Sequence, residues 1–177
     1  MISTLPYFIY TTNDGIKSQK LFFNEINITD EEKLSCLHTV NKLLELSKIS
    51  WDDGLYSMLD ESKKTENLLL IKSAEFILNE SVEANNALLR AKSNLTDEEQ
   101  DKINIFNFIR SDQTFKLIYN LIIYSHYTKV ELFEGILIME AMLCIQIGMN
   151  TSSLRVVLMT YFGIGLQEKL EKLIQNY

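Results

Sequence analysis

The chain has 177 residues, 46% of them hydrophobic, and 24 Asp and Glu against 17 Lys and Arg give it a formal net charge of −7. That is one domain's length with enough apolar side chain to bury a core, so no disulfide or metal staple is needed. The acidic balance excludes the cationic footprint of nucleic-acid binding, and a single Pro with six Gly excludes an interrupted, loop-rich fold.

Residues 7 to 23, YFIYTTNDGIKSQKLFF, set Asn13-Asp14-Gly15 between two apolar runs. Those three residues tolerate positive φ, so a short β-hairpin or an extended arm is predicted; the alternative is a helix beginning near Gly15. Next, ITDEEKLSCLHTVNKLLELSK carries Thr29 and Glu32 as a capping box and places Leu34, Leu37, Asn41 and Leu44 on one helical face. TENLLLIKSAEFILNESVEANNALLRAKS reads as one long helix, or as two joined near Asn79. The start signal recurs at 95 to 100, LTDEEQ, with Thr96 and Glu99, but the segments differ beyond it, so no domain repeat follows. INIFNFIRSDQTFKLIYNLIIYSHY predicts two further helices, the second capped by Ser111 or Asp112.

LFEGILIMEAMLCIQIGM, residues 132 to 149, is the most apolar stretch. Glu131, Glu134 and Glu140 interrupt it, and ionised groups near mid-bilayer cost about 2.5–3.5 kcal/mol each. Gly148, Asn150, Thr151, Ser152 and Ser153 then read as a helix end and a new cap. Residues 129 to 149 are therefore predicted as a central helix, apolar almost all round and enclosed by others. Glu140 falls among Phe133, Ile136 and Ile147, away from Glu131 and Glu134. A carboxyl placed there must pair or stay protonated. Arg155 or Lys129 is the expected structural partner, and a tuned general acid is the catalytic alternative. A helix around Leu154 to Phe162, a break at Gly163-Ile164-Gly165 and a closing helix through Leu173 complete the chain. The whole of 1–177 is thus expected to form a single all-α domain, a compact bundle of about seven to nine helices.

Known catalytic signatures are absent. There is no G-x-x-x-x-G-K, G-x-S-x-G or H-E-x-x-H, and Gly163 and Gly165 lack the third glycine of a dinucleotide loop. His38 and His126 are the two histidines; Cys36, two residues from His38, points about 200° away on a helix and cannot share a metal with it. No metal, no cofactor and no enzymatic activity are expected. Cys36 and Cys144, outside any C-x-x-C, read as reduced buried thiols of a cytoplasmic protein, and MISTLPYFIY lacks the features of a signal peptide.

Charge points to a function class. Residues 25 to 101 hold seventeen acids against eight bases, while 102 to 177 hold six against seven. The acidic surface is therefore assigned to the first helices and the core to the C-terminal half. Within the acidic region ISWDDGLYSMLDE, 49 to 61, contains the only tryptophan, Trp51, with Tyr56 and the acids Asp52, Asp53, Asp60 and Glu61. Aromatic anchors beside carboxylates suit a partner rich in Lys and Arg. On the plainer reading Ser50 caps a helix, Asp52 and Asp53 favour its positive end and Trp51 packs into the core. The functional expectation is an acidic protein-binding inhibitor, of the immunity type, that neutralises a basic toxin or nuclease by covering its active site. No nucleic acid or membrane partner is expected. The rival is a helical regulatory or scaffold module, or a phage or viral host-interaction factor, that self-associates through the apolar C-terminal half.

Overall fold

A computed structural model describes residues 28–90, 114–122, 125 and 128–173, with side chains for all of these but 82–90 and 172. The expected hairpin at 7–23, the second capping box at 95–100 and the Ser111 or Asp112 cap lie outside the described residues. Within them every regular element is helical: α1 (Asp30–Ser35), α2 (Leu37–Asp53), α3 (Leu55–Ser62), α4 (Leu68–Arg90), a helical segment 114–122, α5 (Lys129–Gln146), α6 (Thr151–Thr160), a 3-10 turn (Ile164–Leu166) and α7 (Gln167–Leu173).

Local signals set most of the boundaries. At α1 the Thr29 hydroxyl accepts the Glu32 N–H (3.2 Å) and the Glu32 carboxylate accepts the Thr29 N–H (2.6 Å), as the capping box requires. The same reciprocal pair opens α5, where Thr128 and Glu131 exchange bonds of 3.3 and 2.7 Å. Asn150 caps α6 by accepting the Ser153 N–H at 2.9 Å. The end of α5 is a Schellman motif: the Met149 N–H donates to the Cys144 carbonyl (2.9 Å) and the Gly148 N–H to the Ile145 carbonyl (3.0 Å). Gly148 sits at φ +76°, a left-handed conformation that costs any residue with a Cβ.

One expectation changes at this level, and one alternative is decided. The helix through Leu34, Leu37, Asn41 and Leu44 is not continuous: the backbone hitches at Cys36 (φ −85°, ψ 4°) and divides α1 from α2, while Leu34, Leu37 and Leu44 still pack on one core. The hitch turns the Cys36 thiol inward, where it is buried. Of the two readings of the 65 to 93 stretch, the single long helix is the one found: Asn79 lies inside a helix of 23 residues.

The core surrounds α5. Phe133 and every residue from Gly135 to Ile145 are buried, as a helix that is apolar on all sides demands. Helices α2, α4 and α6 pack against it, with α1 at its N-terminal end. At Gly135 the approach is close: an added Cβ would stand 3.3 Å from both Ile122 and Leu69. Val40, Leu43, Leu44 and Ser47 of α2 are buried at helical spacing, and Met58, Leu70, Ala74 and Ile77 join them. The core therefore draws on the acidic N-terminal helices as well as on the C-terminal half. Among the described residues no helix is long and apolar enough to cross a membrane.

Candidate protein-docking site

The stretch 49 to 61 forms an elbow. Helix α2 runs to Asp53, Gly54 turns the chain at φ +89°, and α3 starts at Leu55. Ser50 is not a cap: it lies in the last turn of α2 and its carbonyl accepts the Gly54 N–H (3.1 Å). Asp52 and Asp53 accordingly stand at the negative end of α2, immediately ahead of α3. The α3 N-terminus favours them and the α2 C-terminus opposes them. Trp51 does not enter the core. It is 62% exposed, and Tyr56, just past the turn, is 67% exposed. Among the described residues the Trp51 ring has no aromatic partner and its indole N–H no acceptor.

The four acids of the stretch divide in two. Glu61 is only 20% exposed and bridges Lys42 (2.9 Å) and Lys64 (2.6 Å), tying α3 to α2. Hydrogen bonds from Lys64 and then Lys42 hold its carboxyl down at about 2. Asp60 lies 3.5 Å from Lys63 across one turn. Asp52 and Asp53 are exposed and, among the described residues, have no cation within ion-pair distance. The six residues singled out by sequence thus reduce to an open set, Trp51, Asp52, Asp53 and Tyr56. Asp60 is partly committed, and Glu61 is a strut of the fold.

The fold adds what spacing does not reveal. The turn from α5 to α6 comes against Trp51, and Ser47, Ser50, Trp51, Ile145, Gly148 and Met149 line a cleft of about 280 Å³. Ile147, the C-cap of α5, is 46% exposed. The Ser47 hydroxyl is occupied by Thr151 at 3.0 Å.

Two other polar groupings hold the bundle together. Glu134, on α5, accepts the Thr39 hydroxyl of α2 and lies 3.5 Å from Asn67 Nδ2 at the head of α4. His38 Nε2 lies 3.6 Å from the same oxygen, while its Nδ1, 2.9 Å from the Ser35 carbonyl, donates to it. Helices α2, α4 and α5 are pinned at one point. The Cys36 thiol faces inward and the His38 ring outward, so they stay apart as their spacing implies.

Glu140 is fully buried. The expected cations are not its partners. Tyr161 at the end of α6 donates its hydroxyl to Oε2 (3.0 Å), and the Cys144 thiol, one turn along α5, faces Oε1 at 3.8 Å. A phenol costs far less to bury than an ammonium or guanidinium, which explains the choice. Burial pushes the Glu140 carboxyl up to about 7, and the bonds from Tyr161 and Cys144 offset only part of that. Burial and the Glu140 charge push the Cys144 thiol up as well, and burial raises Cys36, so both free cysteines are poor nucleophiles. A substrate has no access to Glu140 in this conformation.

Among the described residues no three His, Cys, Asp or Glu side chains are grouped to hold a metal. Comparison with family models, with curated proteins and with solved structures found no match.

Proposed function

We propose that this protein is a protein-binding inhibitor of the immunity type, which sets the Trp51 elbow against a basic toxin or nuclease and covers its active site. The observation that carries this reading is the single tryptophan, exposed next to two carboxylates that no cation of the described chain neutralises. An aromatic that gives up its water on contact supplies affinity at the centre of an interface. Uncommitted carboxylates supply steering, and the net charge of −7 extends that attraction beyond contact range. The binding role, not an enzymatic one, suits a molecule in which, among the described residues, the carboxyl raised to about 7 is sealed in the core and the one held down at about 2, Glu61, is tied up by two lysines.

The test is capture of a basic protein from native extract, followed by association kinetics with the purified partner. An association rate that falls as salt rises, and a loss of capture in the Trp51→Ala and Asp52→Lys/Asp53→Lys variants, is expected. Capture indifferent to both would end the proposal. Self-association through the C-terminal half is the second reading, favoured by the exposure of Val156, Ile164 and Leu173 on and around α6 and α7. A concentration-dependent dimer in sedimentation, abolished by Val156→Asp or Ile164→Asp, would favour it over the first.

A further inference from the structure

We propose that the last turn of α6 is a proton-linked latch: Tyr161 and Phe162 lift from α5 more often once Glu140 has lost its proton, and the lifted turn lets water reach the carboxylate.

The two ends of α6 are held differently. Its first turn is fixed to the bundle, since Asn150 caps it and the Thr151 hydroxyl bonds to Ser47 of α2 at 3.0 Å. Its last turn is held on α5 by the Tyr161 hydroxyl on Glu140 (3.0 Å) and by the Phe162 ring, edge-on to Phe133 with centroids 5.5 Å apart. Immediately beyond, Gly163 stands at φ +82° with open space where a Cβ would be, so the helix stops there and the backbone is free to pivot. Tyr161 is only partly buried while Glu140 is wholly so, and the phenol therefore spans the way from the surface to the carboxyl.

The surroundings of Glu140 do not answer a charge. The Cys144 thiol faces it from α5 and the Tyr161 hydroxyl from α6; among the described residues, α1, α2, α4 and the segment 114–122 bring no titratable or charged group to it. Burial and the Glu140 charge push both facing groups up, so they stay protonated and neither supplies a positive charge. Oε2 has the phenol, but Oε1 has only a thiol at 3.8 Å, which is a weak donor. Burial raises the carboxyl from 4.5 to about 7, and the bonds from Tyr161 and Cys144 offset only part of that. The closed form thus holds the proton more tightly than a form in which water reaches the group, so opening becomes easier as pH rises from about 4.5 through about 7. Scale limits the motion. Undocking all of α6 and α7 would expose the buried Leu154, Leu158, Phe162, Leu166 and Leu170, which one proton cannot offset; lifting the last turn exposes Phe162 alone.

Amide hydrogen exchange on the full chain, read by NMR between pH 5 and pH 8 and corrected for the intrinsic rate, tests the latch. The reporters are the Tyr161 and Phe162 N–H groups, which donate to the Leu158 and Met159 carbonyls. Their opening constant is expected to rise on the order of 50-fold across that range. Leu43 in α2 and Leu154 in the first turn of α6 should stay far better protected at every pH. Glu140→Gln should make the Tyr161 and Phe162 opening independent of pH. If Glu140→Gln does not fold, the comparison of Tyr161 and Phe162 with Leu43 and Leu154 in the natural chain decides by itself. The proposal is overturned if the last turn opens equally at pH 5 and pH 8, if all four amides share one opening constant, which means global unfolding, or if the pH dependence survives in Glu140→Gln.

Discussion

Glu140 in the middle of α5 and the pair Asp52 and Asp53 at the end of α2 are the same functional group in opposite surroundings. Glu140 has no contact with water and two weakly polar neighbours, Tyr161 and Cys144. The aspartates are in water with no protein partner among the described residues. The first carboxyl titrates near neutrality because ionising it means charging an apolar interior. The other two cost the fold little and remain available. A carboxyl in the core therefore sets how stability depends on pH, and a pair of carboxyls at an elbow sets what the surface attracts.

The largest expected effect tests the buried member. The folded value of Glu140 is raised from 4.5 to about 7, so the native state holds its proton more tightly than the unfolded chain. Its contribution is fully present below about pH 4.5 and is lost as pH rises through about 7, a difference on the order of 3 kcal/mol by pH 8. Glu140→Gln should remove this dependence and leave the variant more stable than the natural chain at pH 8, as read by urea unfolding at pH 5 and pH 8. Parallel pH slopes in the two proteins would show that the carboxyl finds water or a cation. Tyr161→Phe comes next. Deleting the hydroxyl leaves the Glu140 oxygen short of a donor, so a loss of about 1–3 kcal/mol is expected. It should be greater at pH 8 than at pH 5, since a bond to the ionised form is the stronger one.

Gly148 links the two regions, because it ends α5 and also lines the cleft beside Trp51. At φ +76°, with open space around it, Gly148→Ala should cost only the backbone term, about 1–2 kcal/mol, measurable as a lower thermal midpoint. A loss much greater than that would mean the α5–α6 turn rearranges. The smallest effect belongs to the elbow: Asp52→Asn/Asp53→Asn should change stability by no more than about 0.5 kcal/mol. A large loss in a thermal melt would show those carboxylates to be structural, and the contrast with Glu140 would disappear.

Several of these features are legible in the residues before any packing is known. Thr29 with Glu32, the Gly163 break and the all-round apolar character of 132 to 149 each depend on neighbours within about one turn. Two further local signals are of the same kind. Thr128-x-x-Glu131 is a capping box as plain as the first. Gly54 ends a helix, so Ser50, four residues earlier, belongs to a last turn and cannot open one. With Ser50 in the last turn of α2, Trp51 stands at the helix end and is exposed.

What the chain alone determines is an all-helical body, where most of its helices begin and end, and which helix is wrapped by the others, because hydrogen bonds between near neighbours and a 3.6-residue repeat carry that information. Only the tertiary arrangement decides that Glu140 answers to Tyr161 and not to Arg155 or Lys129, that Glu61 is spent on Lys42 and Lys64 while Asp52 and Asp53 stay open, and that a turn some 95 residues away supplies the second wall beside Trp51. Those outcomes depend on how helices cross, and burial, which sets the value of every charge and every apolar face, is a property of the crossing and not of any one helix.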